Sequence, residues 1–245
     1  MISVVMPAYN EADTLDPSVR EVVDGLRAAS RDFEVVIVEN GSTDDTREVA
    51  RGLAAELPEV ILVTLPAADY GKALRAGFLA ASGEVVVNFD VDYFDLEFLG
   101  DAMILLEGLP EPERPVIVVG SKRSKGAVDR RHWSRRLVTA GFSLALRSLF
   151  RLKVSDTHGM KGMRREPLLP IVEATRFGTD LFDTELVLRA ERAGLLVSEL
   201  PVEVTERRPS RTTIVRRIPR SLANLLRLRV ALWGEAVRRP RAGDA

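Results

Sequence analysis

Four short apolar runs rich in β-branched residues recur in the first part of the chain, and no other feature constrains the fold as strongly. They cover residues 2–6, 33–38, 60–65 and 84–89. The segments between them carry apolar residues at helical spacing, such as Leu15, Val19, Val22 and Leu26. Strands that are apolar on both faces occur in parallel sheets, because crossover helices cover both faces. We therefore predict an α/β fold with a mostly parallel, Rossmann-like sheet flanked by helices.

The alternation of strands and helices becomes less regular in the second part of the chain. Further strands are predicted at 116–119 and 196–204. Further helices are predicted at 130–152, 181–193 and 221–237. A chain of 245 residues forms one domain or at most two, and no linker rich in Pro, Gly and Ser divides it. We therefore predict one domain with a C-terminal helical appendage.

Charge is distributed unevenly along the chain. Residues 1–120 hold 23 acidic and 8 basic side chains, whereas the remaining residues hold 13 acidic and 27 basic ones. The basic part is expected to meet an anionic partner, with a solvated basic tail as the plainer alternative. The chain has no cysteine, which excludes disulfides, thiolate metal sites and a cysteine nucleophile. No signal peptide or membrane-spanning run is recognisable, so a cytoplasmic protein is expected.

Two aspartates stand directly after the fourth apolar run, where Asp90 and Asp92 flank Val91. Ligands of open α/β sheets bind at the carboxyl ends of the strands. Two carboxylates there can hold a hard divalent cation, Mg²⁺ or Mn²⁺, which bridges nucleotide phosphates and neutralises a leaving diphosphate. An acid-rich turn without a ligand is the alternative, and the nearby Asp95 and Glu97 fit either interpretation.

Polar clusters also follow the first two strands. The cluster after the first strand comprises Pro7, Ala8, Tyr9, Asn10 and Glu11. The cluster after the second strand comprises Glu39, Asn40, Gly41 and Ser42. Each of them could simply cap the helix that follows. Because neighbouring parallel strands end at the same edge of a sheet, both clusters are expected to meet the two aspartates there.

The combination resembles the family 2 glycosyltransferases, which have the GT-A fold. Segments in the family's order stand at 5–11, 36–44, 71–77 and 83–92. Later segments are similar to dolichyl-phosphate mannosyltransferase and other polyprenyl-phosphate glycosyltransferases, and these stand at 120–123, 156–165, 182–186 and 199–202. The resemblance predicts a glycosyltransferase domain over 1–215, with a nucleotide-sugar half at 1–125 and an acceptor half at 126–215. A basic amphipathic helical appendage follows at 216–245.

The resemblance implies metal-dependent, inverting sugar transfer from a nucleotide sugar of the GDP-mannose or UDP-glucose type to a polyprenyl phosphate. It places the metal on Asp90 and Asp92. The catalytic residues that it implies are Asp92, Lys122, Arg123 and Asp156. The nucleotide-sugar contacts that it implies are Pro7, Ala8, Tyr9, Asn10, Glu11, Glu39, Asn40, Ser42, Lys72, Asp90, Val91 and Asp92. The acceptor contacts that it implies are Arg135, Arg136, Arg208, Ser210 and Arg211.

The acceptor decides whether a general base is needed. A phosphate monoester has a second pKa of about 6 and needs cations rather than a base. Lys122, Arg123, Arg130 and Arg131 are among the cations available. A hydroxyl acceptor would need a base, for which the candidates are Asp156, Asp183 and Glu185. His158 is expected to be structural.

Departures from the family pattern fall at site positions. Glu39-Asn40 replaces the usual Asp-Asp pair and has one charge fewer. Tyr93-Phe94 replaces Leu-Gln after the second aspartate, which removes a third metal contact unless Asp95 substitutes for it. The segment 207–211 keeps the cationic and hydroxyl character of the family's C-terminal Arg-x-x-Gly-x-Ser-Lys stretch without its spacing.

Two segments, 133–150 and 218–233, mix arginines with large apolar side chains. Basic amphipathic helices lie in the headgroup plane of anionic membranes, so peripheral contact at the inner face of the membrane is expected. Packing on the sheet or in a dimer is the alternative. Two other functions stay open, namely transfer to a soluble hydroxyl or phosphorylated acceptor, and nucleotide-sugar or nucleic-acid binding without turnover. Nucleic acid is disfavoured because the basic segments lack interleaved aromatic side chains.

Overall fold

The computed structural model describes residues 1–129, 141, 144, 146–178, 181–204 and 223–232. Within them, one large sheet contains β1 (Ile2–Ala8), β2 (Phe33–Asn40), β3 (Val60–Leu65), β4 (Val85–Asn88), β5 (Ile117–Ser121), β7 (Lys161–Arg164) and β8 (Val197–Pro201). A small second sheet pairs β6 (Val128–Asp129) with β9 (Glu203–Val204). The helices are α1 (Ala12–Ala28), α2 (Thr46–Glu56), α3 (Tyr70–Ala80), α4 (Leu96–Gly108), α5 (146–150), α6 (Arg165–Ala174), α7 (Phe182–Arg192) and α8 (223–232).

The large sheet has the strand order β3-β2-β1-β4-β7-β5-β8. All neighbouring strands are parallel except β7, which runs antiparallel to both β4 and β5. The predicted mostly parallel α/β sheet is therefore confirmed. Because β7 runs in the opposite sense, its first residue, Lys161, pairs with the last residue of β4, Asn88. The loop before β7 thus reaches the same edge as the carboxyl ends of the parallel strands.

Apolar cores cover both faces of the sheet, which explains why β1, β2 and β4 are apolar at most positions. Val4 and Met6 of β1 face a core built with α1, α2 and α4. Val5 faces the opposite core, to which α3, α6 and α7 contribute. Period-two alternation sends successive side chains of a strand to opposite faces. A strand with a core on each side is therefore apolar at most of its positions.

A buried carboxylate ties the amino ends of the strands together. Glu34 of β2 accepts hydrogen bonds from the hydroxyl of Ser3, at 2.5 Å, and from the main-chain nitrogen of Ser82, at 2.6 Å. Burial would raise the pKa of Glu34, but these hydrogen bonds outweigh it and the pKa lies below its ordinary value of 4.5. The ionised carboxylate therefore stabilises the fold.

Helix α8 is amphipathic, and its apolar stripe belongs to the domain core. Leu225, Leu228 and Leu232 are buried in the core that contains α3 and α7, whereas Leu226 and Val230 are exposed. The guanidinium of Arg229 donates to the main-chain oxygen of Leu149 in the neighbouring α5 segment. The packing interpretation thus holds for one face of this helix. The rest of the predicted appendage at 216–245 lies outside the described residues.

Several elements differ from the sequence-based expectation. α4, α6 and β7 were not predicted, and the strand predicted at 196–204 is divided at Val202 into β8 and β9. Most of the helix predicted at 130–152 lies outside the described residues. In the part of the chain that the structure describes, no helix is both long and apolar enough to cross a membrane.

Candidate active site

A tight turn after β4 presents the two predicted metal ligands. The main chains of Asp90 and Tyr93 exchange two hydrogen bonds of 3.1 Å, which close the turn. Val91 is buried and anchors the turn in the core, whereas Asp92 between the paired residues is exposed. The sequence Asp-Val-Asp therefore points one carboxylate into solvent and keeps the other partly buried.

Tyr70, the first residue of α3, holds Asp90 in place. Its phenol donates a hydrogen bond of 2.8 Å to Oδ1 of Asp90. Burial raises the pKa of Asp90 to about 6, although the Tyr70 hydrogen bond acts in the opposite direction. Burial and the neighbouring Asp90 charge raise the pKa of Tyr70 well above its ordinary value. The phenol therefore stays protonated and remains a donor. Sequence reasoning missed this residue, although it directly precedes the Gly71-Lys72 segment that carries part of the family resemblance.

The chemistry of this turn fits a divalent cation that is shared with a diphosphate. Among the described residues, Asp92 makes no hydrogen bond or ion pair. No group of three or more His, Asp or Glu side chains that could hold a metal occurs among those residues either. Mg²⁺ is commonly held by one or two carboxylates together with substrate phosphates and water, so two carboxylates suffice.

Asp95 caps α4. Its Oδ1 accepts the main-chain N–H groups of Glu97 and Phe98, at 2.9 and 3.1 Å. Such a cap satisfies donors that a helix start leaves unpaired. Capping accounts for Oδ1 of Asp95, and its role as a substitute for the missing family ligand stays a prediction.

A buried ion pair lies on the same side of the sheet as Tyr70. Lys161 Nζ contacts Asp183 Oδ1 at 2.6 Å and the main-chain oxygen of Gly159 at 2.8 Å, and its side chain is fully buried. Lys161 is the strand partner of Asn88, whose buried Oδ1 has no hydrogen-bond partner within the part of the chain that the structure describes. Asp183, which was a candidate general base, is therefore already paired with the cationic Lys161. Lys161 itself was not singled out from the sequence, because nothing in a Lys-Gly-Met-Arg strand marks it as buried.

The clusters after β1 and β2 meet each other, as the sequence predicts. Asn10 has a positive φ of 55°. Its Oδ1 accepts the main-chain N–H of Thr43 at 2.9 Å, and its own N–H donates to Ser42 Oγ at 3.2 Å. The N–H of Glu11 donates to Thr46 Oγ1 at 2.8 Å. These bonds tie the first loop to the second loop and to the start of α2. The N-cap residues of α1 and α2, Glu11 and Asp45, make no capping side-chain hydrogen bond, so the structure does not bear out the interpretation that each cluster caps the helix that follows it.

The side chains of Glu39 and Asn40 also form hydrogen bonds within the protein. Glu39 is fully buried, with one oxygen accepting from the N–H of Ser42 at 2.5 Å and the other from Arg47 at 2.8 Å. Burial would raise the pKa of Glu39, but these bonds lower it below its ordinary value. Asn40 Oδ1 accepts the N–H of Asp69, at 2.9 Å. Nucleotide contacts by these two side chains stay predictions.

The remaining nucleotide-sugar candidates stand at the same edge with different exposure. Pro7 and Ala8 are the buried last residues of β1, and Tyr9 beside them is exposed. Lys72 lies in the first turn of α3, largely exposed, with Nζ 3.7 Å from Asp69 Oδ2. Asp69 itself caps α3 by accepting the N–H of Lys72 at 3.1 Å. Tyr9 and Lys72 are thus the two side chains of this group that solvent can reach most readily.

Lys122 and Asp156 form an ion pair on the other side of the acidic turn. Lys122 Nζ lies 3.0 Å from Asp156 Oδ2, and Asp156 Oδ1 accepts the N–H of His158 at 3.1 Å. His158 Nδ1 lies 3.1 Å from Thr157 Oγ1, in keeping with a structural role. Arg123 beside the pair is exposed. A free Asp156 base or a free Lys122 cation is therefore not what the structure presents.

Glu185, the third candidate base, is fully buried. Its Oε2 accepts the N–H groups of Arg176 and Phe177 at 2.9 Å, and its Oε1 pairs with Arg189 at 2.8 Å. It therefore organises the segment before α7, and no oxygen is left for an acceptor hydroxyl. The other candidates for contact with the acceptor lie outside the described residues, and these are Arg130, Arg131, Arg135, Arg136, Arg208, Ser210 and Arg211.

A mostly parallel sheet with helices on both faces and an acidic turn at its carboxyl edge is the arrangement that the resemblance to GT-A glycosyltransferases predicts. The sequence profile described as "Glycosyl transferase family 2" matches residues 3–170. The chain belongs to this family and is an enzyme of the glycosyltransferase class.

Relatives agree with this assignment. Glycosyltransferase AglD of Haloferax volcanii is 32% identical over 98% of this chain and 38% of its own length. Dolichyl-phosphate beta-glucosyltransferase ALG5A of Trichomonas vaginalis is 31% identical over 84% of this chain and 66% of its own length. The chain therefore spans less than two thirds of either relative. An uncharacterised glycosyltransferase of Mycobacterium bovis is 34% identical over 82% of this chain and 84% of its own length.

Solved structures share the fold. Glucosyl-3-phosphoglycerate synthase of Mycobacterium tuberculosis in complex with UDP superimposes with a TM-score of 0.66 and 23% identity. The match covers 94% of this chain and 80% of that one. The same enzyme has been crystallised with Mn²⁺, UDP and glucosyl-3-phosphoglycerate, with a TM-score of 0.65 to this chain.

Proposed function

We propose that this enzyme transfers a sugar, with inversion, from a nucleotide sugar to a polyprenyl phosphate and that it needs Mg²⁺ or Mn²⁺. The observation that carries the proposal is the turn after β4, where Asp92 is exposed and unpaired among the described residues and Asp90 stands beside it. In sugar transfer the leaving group is a nucleoside diphosphate, and a cation at this turn would neutralise its developing charge.

Different residues of this chain have different roles in binding the donor. Asp92 and Asp90 would hold the cation, and Tyr70 orients Asp90 by its hydrogen bond of 2.8 Å. Tyr9 and Lys72 border the same edge and are exposed, so they are the side chains that we assign to the nucleotide sugar. The donor is of the UDP-glucose or GDP-mannose type. UDP-containing complexes of a protein with the same fold support a uridine nucleotide.

Two observations favour an anionic acceptor, namely the ion pairs that engage the candidate bases and the exposed side chain of Arg123. The three predicted bases are engaged, since Asp156 pairs with Lys122, Asp183 with Lys161, and Glu185 with Arg189. A phosphate monoester attacks without a strong base, because its second pKa is about 6. Arg123 is exposed beside the site and would contact the phosphate. Relatives named dolichyl-phosphate beta-glucosyltransferase support a lipid phosphate.

The outer face of α8, together with Leu144 just before α5, would bring the lipid acceptor to the enzyme. Leu144, Leu226 and Val230 are exposed, and Arg227 and Arg229 lie on α8 with the last two. Exposed apolar side chains beside arginines favour the interface of an anionic membrane. The proposed location is accordingly peripheral, at the cytoplasmic face of the membrane.

The test is a transfer assay with radiolabelled UDP-glucose and GDP-mannose, in detergent, with and without polyprenyl phosphate. Label is expected to enter the lipid phase only with polyprenyl phosphate and a divalent cation. Asp92→Asn is expected to lose at least about a hundredfold in rate, whereas Asp101→Asn, an exposed carboxylate on α4, retains activity. Full activity in excess EDTA, or an active Asp92→Asn enzyme, would refute the proposed mechanism.

A soluble phosphorylated acceptor is the second candidate function. The observation that favours it is the shared fold with a synthase crystallised with phosphoglyceric acid, with a TM-score of 0.65. The same assay separates the two, because phosphoglyceric acid is offered in place of the lipid. Label in a water-soluble product, with none in the lipid phase, would assign the enzyme to this second class.

A further inference from the structure

We propose that Tyr70 is a positioning residue of the cation site, which binds Oδ1 of Asp90 and so leaves Oδ2 of that carboxylate for the cation. The inference deepens the proposed function and rests on it. The bond is 2.8 Å long and joins residues twenty positions apart, the first on α3 and the second in the turn after β4. Hydrogen bonds from the protein to a ligating carboxylate fix its orientation and tune metal affinity.

The position of the phenol is set by bonds on the β2 side of α3. Tyr70 begins α3, and the N–H of the preceding Asp69 donates to Asn40 Oδ1 at 2.9 Å. Asp69 in turn accepts the N–H of Lys72 at 3.1 Å. The start of α3 is therefore anchored to the end of β2. A phenol carried on an anchored helix start constrains the carboxylate that it binds more than a phenol on a free loop would.

Close packing on the α7 side adds a second constraint. A Cβ on Gly71 would lie 2.7 Å from the main-chain carbon of Gly178 and 2.7 Å from Cβ of Phe182, the first residue of α7. No larger residue fits there, so the helix start is pressed against the segment that leads into α7. Asp183, the next residue, is neutralised by Lys161 at 2.6 Å. The start of α3, which carries Tyr70, is thus held between the end of β2 and the segment that leads into α7.

The chain offers a matched pair of variants. Tyr70→Phe removes the hydroxyl that binds Asp90 and keeps the ring. Tyr93→Phe removes a hydroxyl from the acidic turn itself, where it donates to the main-chain oxygen of Glu203 at 3.2 Å. A general effect of losing a tyrosine hydroxyl near the site would appear in both variants, whereas an effect through Asp90 appears only in the first.

The experiment measures Mn²⁺ affinity by calorimetry on the metal-free full chain, with UDP or GDP present. Tyr70→Phe is expected to weaken Mn²⁺ binding by about tenfold or more, and Tyr93→Phe by less than about twofold. In the transfer assay, Tyr70→Phe should raise the Mn²⁺ concentration needed for half-maximal rate, with most of the rate recovered at saturating Mn²⁺. A role confined to the fold would instead lower the melting temperature and leave Mn²⁺ affinity unchanged.

A measurement of folding accompanies the affinities. The melting temperature of each variant, taken without metal or nucleotide, shows that the protein is folded, and the inference expects weaker Mn²⁺ binding by folded Tyr70→Phe. Wild-type Mn²⁺ affinity in Tyr70→Phe, or equal losses of affinity in Tyr70→Phe and Tyr93→Phe, overturns the inference. A wild-type protein that binds no Mn²⁺ with either nucleotide overturns the proposed function itself, which is a different result from a variant that equals the wild type.

Discussion

Leu225 and Leu226 are sequence neighbours on α8 with opposite environments, and they test whether this helix belongs to the domain. Leu225 is 0% exposed within the core that contains α3 and α7, whereas Leu226 is 56% exposed. Truncating a fully buried leucine to alanine costs about 2–5 kcal/mol, because the transfer free energy is lost and a cavity is left. Truncating an exposed one changes stability by about 0.5 kcal/mol or less.

The difference is large enough to be read from melting temperatures. In a domain of this size, each 1 kcal/mol shifts the melting temperature by about 2–4 °C. A cost of about 3 kcal/mol for Leu225→Ala therefore corresponds to a fall of about 6–12 °C. Leu226→Ala should shift the melting temperature by about 2 °C or less. Both substitutions remove the same atoms from adjacent positions of one helix, so each controls for the helix propensity of the other.

The assay is differential scanning calorimetry at one protein concentration, with reversibility checked by a second scan. Two small and equal shifts would refute the packing of α8 on the core and would restore the interpretation of residues 216–245 as a separable appendage. Unequal shifts in the expected direction would mean that truncating the chain before α8 exposes core surface. A truncated chain would then be an unsuitable reagent for testing lipid binding, and point substitutions on the outer face are the better choice.

Three further predictions follow from exposed and buried charges and from the outer face of α8. Arg123→Gln should lower kcat/KM by about tenfold, or about 1.4 kcal/mol, with an unchanged melting temperature; equal kcat/KM values would remove Arg123 from the acceptor site. Because the folded pKa of Glu34 lies below 4.5, its stabilising effect is present above that pH and is lost as the pH falls through the lowered pKa. The melting-temperature deficit of Glu34→Gln, measured against pH, should therefore be largest near neutrality and shrink in acid; a deficit that grows in acid would contradict this. Leu226→Glu combined with Val230→Glu should reduce sedimentation with anionic vesicles, whereas Ile104→Glu, on the equally exposed surface of α4, should not; parallel losses would indicate non-specific adhesion.

The sequence predicts those strands whose own residues are apolar enough to indicate that the strand is buried. The runs that became β1, β2, β3 and β4 are apolar at almost every position, so both their existence and their parallel pairing follow from composition. β7 has the sequence Lys-Gly-Met-Arg, and its place in the sheet depends on Asp183, a residue of α7 that neutralises its lysine. No local pattern reports a partner that lies twenty-two residues further along the chain.

The candidate site shows the same division between local and distant information. Asp90 and Asp92 could be located because they directly follow an apolar run. The roles of Asp95, Asp156 and Glu185 could not be predicted in this way. In the sequence, a carboxylate that caps a helix or pairs with a cation cannot be distinguished from one that binds a metal or acts as a base. Tyr70 could not be predicted because its effect on Asp90 depends on how the start of α3 lies relative to the turn after β4.

The reversed strand β7 also has a consequence for how the chain acquires its structure during synthesis. Its pairing partners β4 and β5 end at residues 88 and 121, so a nascent chain carries both of them before Lys161–Arg164 emerges to join them. Until then the apolar Val85–Asn88 strand is an open edge, with its hydrogen-bonding groups free to recruit another chain. Ribosome stalling or premature termination between residues 121 and 161 would therefore release a self-associating fragment. A fragment that ends near residue 125 is thus poorly suited to expression by itself, and a fragment for biophysical work should extend past β7.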